Sequence, residues 1–162
     1  MAKNKIDKTN AMRILDRSKI PYEIMTYTVD ESDLSGEHAA AELGLDPKRV
    51  FKTLVLKGDK KGHLVAVIPV DGTLDLKALA RVSGNKSVEM IHVKELFDLT
   101  GYIRGGCSPI GMKKLFPTYL DESCMVFETI VFSAGQRGMQ IVAAPADLVR
   151  TVNGQVCALL QD

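Results

Sequence analysis

The order of apolar and polar positions along the chain predicts short helices and strands that follow one another irregularly. Apolar side chains at helical spacing come after Thr9, a possible N-cap, and Pro21 ends that run. Residues 22–29 then have the β-rich composition of a strand. Ser35 is suited to cap a short alanine-rich helix, and Gly44 to take the left-handed position that closes it. The first part of the chain is therefore predicted to run helix, strand, helix.

The middle of the chain is predicted to contain a β-hairpin. Aliphatic and β-branched runs at 51–56 and 63–69 are separated by KGDKKG, a polar connection that contains two glycines. Lys52 therefore lies at the start of a strand. Asp75 is placed to cap the next helix. The pattern predicts a helix over 76–82, a strand over 88–90 and a helix over 93–99 that Gly101 closes.

The last third of the chain begins with the glycine- and proline-containing segment GGCSPIG at 105–111. The elements predicted after it are a strand pair around Tyr119 and over 125–132, a turn at 133–138, a strand over 139–143, a helix over 145–152 and a last strand over 155–160. Helices and strands that interleave with several hairpins favour an α+β fold with a mixed, strongly twisted sheet over a doubly wound parallel sheet.

Composition narrows the class of protein. With 162 residues, 46% hydrophobic and 25% charged, the chain resembles one ordinary globular domain, predicted to span 1–162. No apolar run reaches the length of a membrane span and the N-terminus is too polar for a signal peptide, so we expect a cytoplasmic protein with no membrane partner. The three cysteines and three histidines lack zinc-type spacing, which predicts reduced thiols and neither metal nor cofactor. P-loop, dinucleotide and Ser/His/Asp patterns are absent from the sequence.

The net charge of +1 excludes the basic footprint of an autonomous nucleic-acid binder, so we expect no DNA partner and only local contact with RNA. Residues 1–19 carry six basic side chains, among them Lys3 and Lys5, against two acidic ones. Residues 120–162 carry two basic against five acidic ones. This asymmetry could orient an RNA end, or it could be an ordinary solvated surface.

Lys52 is the first candidate for chemistry. A lysine in an otherwise apolar strand is costly unless its ammonium reaches water or an anion, so Lys52 could line a cleft. As a purely structural residue it would only extend from the strand end into solvent.

Two loops are further candidates. Glycines within 105–111 allow a ligand to approach the backbone, whose N–H groups could hold a carbonyl oxygen as it gains negative charge; a tight connection is the alternative. Ser133 and Arg137 would suit a hydroxyl- or phosphate-bearing ligand, although their segment could be only a hairpin loop. Cys107 invites a nucleophile role, but no histidine lies near it in the sequence.

Six segments follow one another in an order and spacing typical of one known family. They are IPYEIMTY (20–27), AAELGLDP (40–47), VFKTLVL (50–56), TGYIRGGCSPIGMKK (100–114), FETIVFSAGQRG (127–138) and APADL (144–148). Together they resemble the YbaK family of bacterial Cys-tRNA(Pro) deacylases, which is related to the editing domain inserted in prolyl-tRNA synthetase. The resemblance implies an α+β fold whose curved, mixed, mostly antiparallel sheet or open barrel is surrounded by helices.

The resemblance also implies roles for individual residues. Lys52 matches the essential lysine, and Gly106 is a backbone donor to the scissile carbonyl within a GxxxP loop that runs from Gly105 to Pro109. Tyr27 matches a pocket tyrosine. The remaining predicted substrate contacts, counting the family's serine-glycine loop, are Thr53, Gly105, Ser108, Pro109, Ser133, Gly135 and Arg137. Two positions depart from the family pattern: Ala134 replaces a glycine, and Ser35 replaces an aromatic residue, which bears on amino-acid specificity.

The function implied is metal-independent hydrolysis of the ester in mischarged Cys-tRNA(Pro), in which the cysteinyl thiol attacks its own carbonyl. Because the net charge is near zero, we expect tRNA selection to come from a partner such as prolyl-tRNA synthetase in a weak ternary complex. One alternative is a deacylase of another small aminoacyl-tRNA, such as alanyl-tRNA, that uses a bound water. The other is a non-catalytic module that binds tRNA or a synthetase.

Overall fold

The computed structural model describes residues 7–162, so the basic residues Lys3 and Lys5 lie outside the described residues. Its helices are α1 (Asn10–Arg17), α2 (Gly36–Leu43), α3 (Leu76–Ser83), α4 (Val93–Thr100) and α5 (Pro145–Thr151), with a 3₁₀ helix at Glu122–Val126. Its strands are β1 (Glu23–Thr26), β2 (Phe51–Gly58), β3 (Gly62–Pro69), β4 (Val88–Met90), β5 (Thr118–Asp121), β6 (Ile130–Gln136), β7 (Met139–Ala143) and β8 (Gln155–Cys157). In this part of the chain, no helix has the length and apolar character needed to span a membrane.

The strands form two sheets. The smaller is antiparallel, in the order β1-β7-β6, and the larger has the order β4-β2-β3-β5-β8. The larger sheet is mixed, because β5 runs parallel to both β3 and β8. A parallel bridge between Val50 and Val131 joins the two sheets. The predicted α+β fold with mixed, mostly antiparallel sheet structure is confirmed, and over residues 7–162 it takes the form of two joined sheets without a closed barrel.

Strand β2 is covered by apolar side chains on both faces. Phe51 and Val55 point into one hydrophobic cluster, which also contains Phe132 of β6. Leu54 and Leu56 point into another. Burial on both faces explains why this segment is an almost continuous apolar run instead of an alternating one. It also fixes the position of the strand from which the Lys52 side chain extends.

The predicted helix caps are confirmed. The Thr9 hydroxyl accepts a hydrogen bond from the Met12 amide at 3.3 Å, and the Ser35 hydroxyl accepts one from the His38 amide at 3.2 Å. The Asp75 carboxylate caps α3 in the same way. These bonds satisfy amides that have no partner within their own helix.

Four predicted elements have different bounds in the structure. The strand expected over 22–29 is limited to β1, and a loop leads from it to α2. The strand expected over 125–132 begins instead as the 3₁₀ helix, because the buried Asp121 carboxylate accepts a hydrogen bond from the Ser123 amide at 3.1 Å and turns the chain. Strand β6 continues through much of the turn expected at 133–138, and β8 is shorter than the strand expected over 155–160.

Candidate active site

A cavity of about 290 Å³ lies beside the bridge that joins the two sheets. Three separate parts of the chain contribute most of its wall. They are residues 50–54, which cover the start of β2 and the residue before it, the entry to α2 at 34–37, and residues 104, 105 and 107, which cover the start of the glycine loop and the residue before it. Tyr27, Ser133 and Gln140 also line it. The strand lysine and the glycine loop, which are distant in sequence, therefore border the same space.

Lys52 brings a positive charge to this cavity. It is the second residue of β2, opposite Ile68 of β3, and its side chain is half-buried. The ion pairs within residues 7–162 are Lys8–Asp16, Lys48–Asp71 and Arg150–Asp147, and the carboxylates of Asp33 and Glu42 lie near the His38 ring. Lys52 takes part in none of these, and Glu37 is the one acidic residue among the described residues that line the cavity. The local charge therefore favours an anionic ligand or a developing negative charge.

The entry to α2 forms a fixed wall. A Cβ on Gly36 would lie 2.3 Å from Cγ1 of Val70, so α2 begins directly against the end of the β2–β3 hairpin. The Leu34 Cβ lies 3.3 Å from the point that a Cβ on Gly105 would occupy, which closes this side of the cavity. Ser35 uses its hydroxyl as the helix cap and is small. An aromatic side chain at its position would fill cavity space that serine leaves open.

In the glycine loop, the Gly106 amide has a different hydrogen-bond partner from the predicted substrate carbonyl. It donates to the Ile103 carbonyl at 2.9 Å, so it is already occupied and is not free to bind a substrate carbonyl. A Cβ on Gly106 would lie 2.9 Å from the Arg137 amide nitrogen, which explains the glycine by close packing. The neighbours that line the cavity, Gly105 and Cys107, have amides with no protein acceptor among the described residues. They are the better candidates for backbone donors.

The end of the GxxxP loop lies away from the cavity lining. Ser108 is fully buried, and its hydroxyl accepts a hydrogen bond from the Ile110 amide at 3.2 Å. Pro109 is also buried. Neither residue lines the cavity, and the Ser108 hydrogen bond stabilises the loop.

The hairpin between β6 and β7 supports the opposite side of the loop. Its register shifts between Ser133 and Gln136, and the Ser133 hydroxyl accepts a hydrogen bond from the Gly135 amide at 3.1 Å. Gly135 has a φ of 98°, a conformation that favours glycine. Ser133 lines the cavity, whereas Gly135 and Arg137 do not. Ala134 is fully buried and is not among the residues with positive φ, so this departure from the family pattern introduces no backbone strain.

Tyr102 is a structural residue of the site that sequence reasoning missed. Its hydroxyl donates to the Ile110 carbonyl at 2.6 Å. A Cβ on Gly135 would lie 2.7 Å from its ring, and one on Gly111 would lie 2.8 Å from its hydroxyl oxygen. Burial raises the pKa of Tyr102 to about 12, so the phenol stays neutral. The ring therefore holds the glycine loop against the hairpin, a contact that no local pattern predicts.

Cys107 lines the cavity but is poorly suited to act as a nucleophile. Burial raises the pKa of its thiol to about 12, since a thiolate would lose hydration there. At neutral pH the group is therefore protonated, and the thiol is a much weaker nucleophile than the thiolate. Within residues 7–162, no three His, Cys, Asp or Glu side chains are grouped closely enough to hold a metal ion.

Thr53, Tyr27 and Gln140 are polar residues that line the cavity. The Thr53 hydroxyl oxygen is buried and has no hydrogen-bond partner among the described residues. Such a group is costly in the free protein, and a ligand that pairs with it would remove that cost. Tyr27 is positioned by its own amide, which donates to the Gly138 carbonyl at 2.9 Å. Gln140 is nearly buried, and sequence reasoning missed it because it lies within an apolar strand.

Comparison with known proteins defines the class. The aminoacyl-tRNA editing domain model matches residues 31–151. Over 156 residues the chain is 54% identical to an Enterococcus faecalis protein provisionally named Cys-tRNA(Pro)/Cys-tRNA(Cys) deacylase EbsC, with 96% of this chain and 95% of that protein covered. It is 24% identical over 155 residues to the Escherichia coli multifunctional Ser/Thr-tRNA deacylase ProXp-y, with 93% and 90% covered.

A solved structure supports the fold. A crystal structure provisionally described as a trans-editing enzyme for prolyl tRNA synthetase matches with a TM-score of 0.80 and 23% identity, covering 94% of this chain and 96% of that one. The fold is that of an aminoacyl-tRNA editing domain. The chain belongs to the aminoacyl-tRNA editing domain family, and the family predicted from the six sequence segments is confirmed.

Proposed function

We propose that this aminoacyl-tRNA deacylase acts in trans to remove cysteine from mischarged Cys-tRNA(Pro). The enzyme class follows from the family and from the names of its relatives. Cysteine and tRNA(Pro) are supported by the provisional name of the relative at 54% identity. The observation that carries the proposal is that Lys52 and the glycine loop border one small cavity.

In the proposed mechanism the protein positions the ester and stabilises charge. The Lys52 ammonium faces the terminal ribose and the ester, where it favours the negative charge that develops on the carbonyl oxygen. The amides of Gly105 and Cys107 replace that of Gly106 as oxyanion donors, because the Gly106 amide is bound to Ile103. Tyr27, Thr53 and Ser133 would contact the substrate through their polar groups. These donors are fixed before the substrate arrives, so they need little reorganisation during the reaction.

The nucleophile in this proposal is the thiol of the substrate. Its sulfur loses a proton and bonds to the carbonyl carbon, the bond between that carbon and the ribose oxygen breaks, and the ribose oxygen takes up a proton. The products are a thiolactone, which water then opens to cysteine, and free tRNA. Cys107 is unsuited to compete as a nucleophile because its thiol is protonated at neutral pH.

Selection of tRNA is proposed to come from a partner, prolyl-tRNA synthetase, in a weak ternary complex. A chain of net charge +1 has little capacity to bind tRNA by phosphate neutralisation over a wide surface. The protein alone should therefore deacylate Cys-tRNA of different tRNA identities at similar rates.

The direct test is deacylation measured over a panel of aminoacyl-tRNAs. We expect cysteinyl-tRNA to be consumed and alanyl-tRNA to persist. Preferred hydrolysis of seryl- or threonyl-tRNA would favour the activity for which the Escherichia coli relative is named. Cysteinyl-tRNA that is undiminished by excess protein would favour a non-catalytic binding module and contradict the proposal.

Thr53→Val should move stability and activity in opposite directions. Valine keeps the shape of the side chain and removes a buried hydroxyl that has no partner among the described residues, so the free energy of unfolding should rise by roughly 1 kcal/mol. The value of kcat/KM should fall, by up to about tenfold, because a hydrogen bond to the substrate is lost. Urea unfolding and deacylation kinetics measure the two effects.

Thr118→Val is the matched control. The buried Thr118 hydroxyl donates to the Phe116 carbonyl at 2.9 Å, so its removal should lower stability by about 1 kcal/mol and leave kcat/KM unchanged. If Thr53→Val instead lowers stability and retains full activity, Thr53 has no role at the substrate.

A further inference from the structure

Two arginines lie together beside the cavity. Arg104 lines it and has an exposed side chain. Arg137, at the tip of the β6–β7 hairpin, donates from Nε to the Arg104 carbonyl at 2.8 Å. The Arg137 Nε also lies 3.4 Å from the point that a Cβ on Gly105 would occupy. We refer to Arg104 and Arg137 as the arginine pair.

Arg137 is held in place by a hydrogen bond, and neither arginine is neutralised by an acidic side chain among residues 7–162. Arg137 uses one of the five N–H groups of its guanidinium for the bond to Arg104, and no protein acceptor among residues 7–162 receives the others. The guanidinium of Arg104 donates to no acceptor in the same part of the chain, and none of the ion pairs described above includes either arginine. Two unpaired guanidinium groups therefore lie next to a cavity that already contains the Lys52 ammonium.

Guanidinium groups favour phosphate because their planar N–H donors match its oxygens in pairs. If Lys52 and the glycine loop hold the aminoacyl ester, the nearest anion of an aminoacyl-tRNA is the phosphodiester on the 5′ side of the same terminal ribose. An overall charge of +1 means that such a contact depends on local residues and not on a general basic surface.

We infer that Arg104 and Arg137 bind the phosphodiester that joins the terminal adenosine of tRNA to the preceding nucleotide. This inference rests on the proposed function and adds a subsite to it. Lys52 acts at the ester, and the arginine pair fixes the distance and direction from which the polynucleotide enters. Specificity for a nucleotide end, as opposed to a free amino-acid ester, would then come from these two residues.

The test compares two small substrates that differ only in the phosphate. One is 3′-O-cysteinyl-adenosine, and the other is its 5′-(methyl phosphate), which carries the single negative charge of a phosphodiester. For Arg104→Ala, kcat/KM should fall roughly tenfold or more on the methyl phosphate, mainly through KM, and the loss should be confined to that substrate. Arg137→Ala should lower the ratio of kcat/KM on the methyl phosphate to kcat/KM on cysteinyl-adenosine. A general disturbance of the loop would affect both values and would cancel in this ratio.

Arg81→Ala is the control of equal charge change, since Arg81 is exposed on α3 and is not a cavity residue. It should leave the ratio unchanged. With Cys-tRNA as substrate, Arg104→Ala should also reduce the slope of log kcat/KM against log salt concentration by roughly 0.7, the value for one phosphate contact on a single strand.

Three outcomes would overturn the inference. Equal losses of kcat/KM on both small substrates would show that the arginine pair has only a structural role. A loss on Cys-tRNA with no change on either small substrate would place its partner elsewhere, on a distant phosphate or on an acidic protein surface. If the unaltered protein hydrolyses neither small substrate nor Cys-tRNA, the proposed function itself fails, which is distinct from failure of the phosphate subsite alone.

Discussion

Lys52→Met should reduce deacylation of Cys-tRNA at least about hundredfold while the protein stays folded. Loss of one preorganised group that stabilises an oxyanion costs about 10²–10³ in kcat. Methionine retains the apolar stem that packs at the start of β2, so the change removes the charge and little else. Single-turnover deacylation rates measure the effect, and circular dichroism with a thermal melt checks the fold.

Lys57→Met is the matched control for Lys52. Lys57 is on the same strand, opposite His63, but is exposed and is not a cavity residue. Its replacement removes the same charge and should leave the deacylation rate within about twofold, since an exposed charge at that distance is screened by salt. Activity of Lys52→Met equal to that of Lys57→Met would refute the role of Lys52.

S-methylcysteinyl-tRNA should be at least about hundredfold more resistant to the protein than cysteinyl-tRNA. Methylation adds one methyl group and removes the nucleophilic thiol, so the advantage of a well-oriented intramolecular attack is lost. Seryl-tRNA should also persist, because a hydroxyl is a poorer nucleophile than a thiol. Acid-quenched time courses, with aminoacyl-tRNA whose amino acid is labelled, give the rates.

A mechanism with a bound water as nucleophile predicts different relative rates for these substrates. If water attacks the carbonyl, cysteinyl- and S-methylcysteinyl-tRNA should be hydrolysed at comparable rates. That result would contradict the thiol mechanism but would still be consistent with deacylase activity. Tight binding of S-methylcysteinyl-tRNA without turnover, measured by competition with cysteinyl-tRNA, would show that the analogue still enters the cavity.

Local elements were predictable where a short-range physical signal exists. The caps at Thr9, Ser35 and Asp75 are set by side chains that bond to amides a few residues further on. The β2–β3 hairpin follows from two apolar runs around a polar connection. The 3₁₀ helix was missed because the Asp121 carboxylate that starts it also accepts a hydrogen bond from the Leu159 amide, at 2.9 Å, which is distant in sequence.

The site residues also divide into those that a local sequence signal revealed and those that it did not. Lys52 stood out as a charge in an apolar strand, and Ser133 as a polar residue in a glycine-containing loop. Gly106 illustrates the limit of such reasoning. Its place in the loop suggested a free amide donor, but the fold uses that amide for Ile103 and presses the residue against Arg137. Tyr102 and Gln140 gave no local signal, since their importance lies in contacts with other segments.

The sequence by itself determined the α+β class, most of the helices and strands, the family and the candidacy of Lys52, because these depend on periodicity, capping and motif order within short stretches. Tertiary structure decided that the strands divide into two sheets, that Lys52 and Gly105 border one cavity, and which loop amides remain free. The reason is physical: hydrogen bonds and close contacts between distant segments form only when the chain is folded, and they determine which polar groups are already paired and which remain available to a ligand.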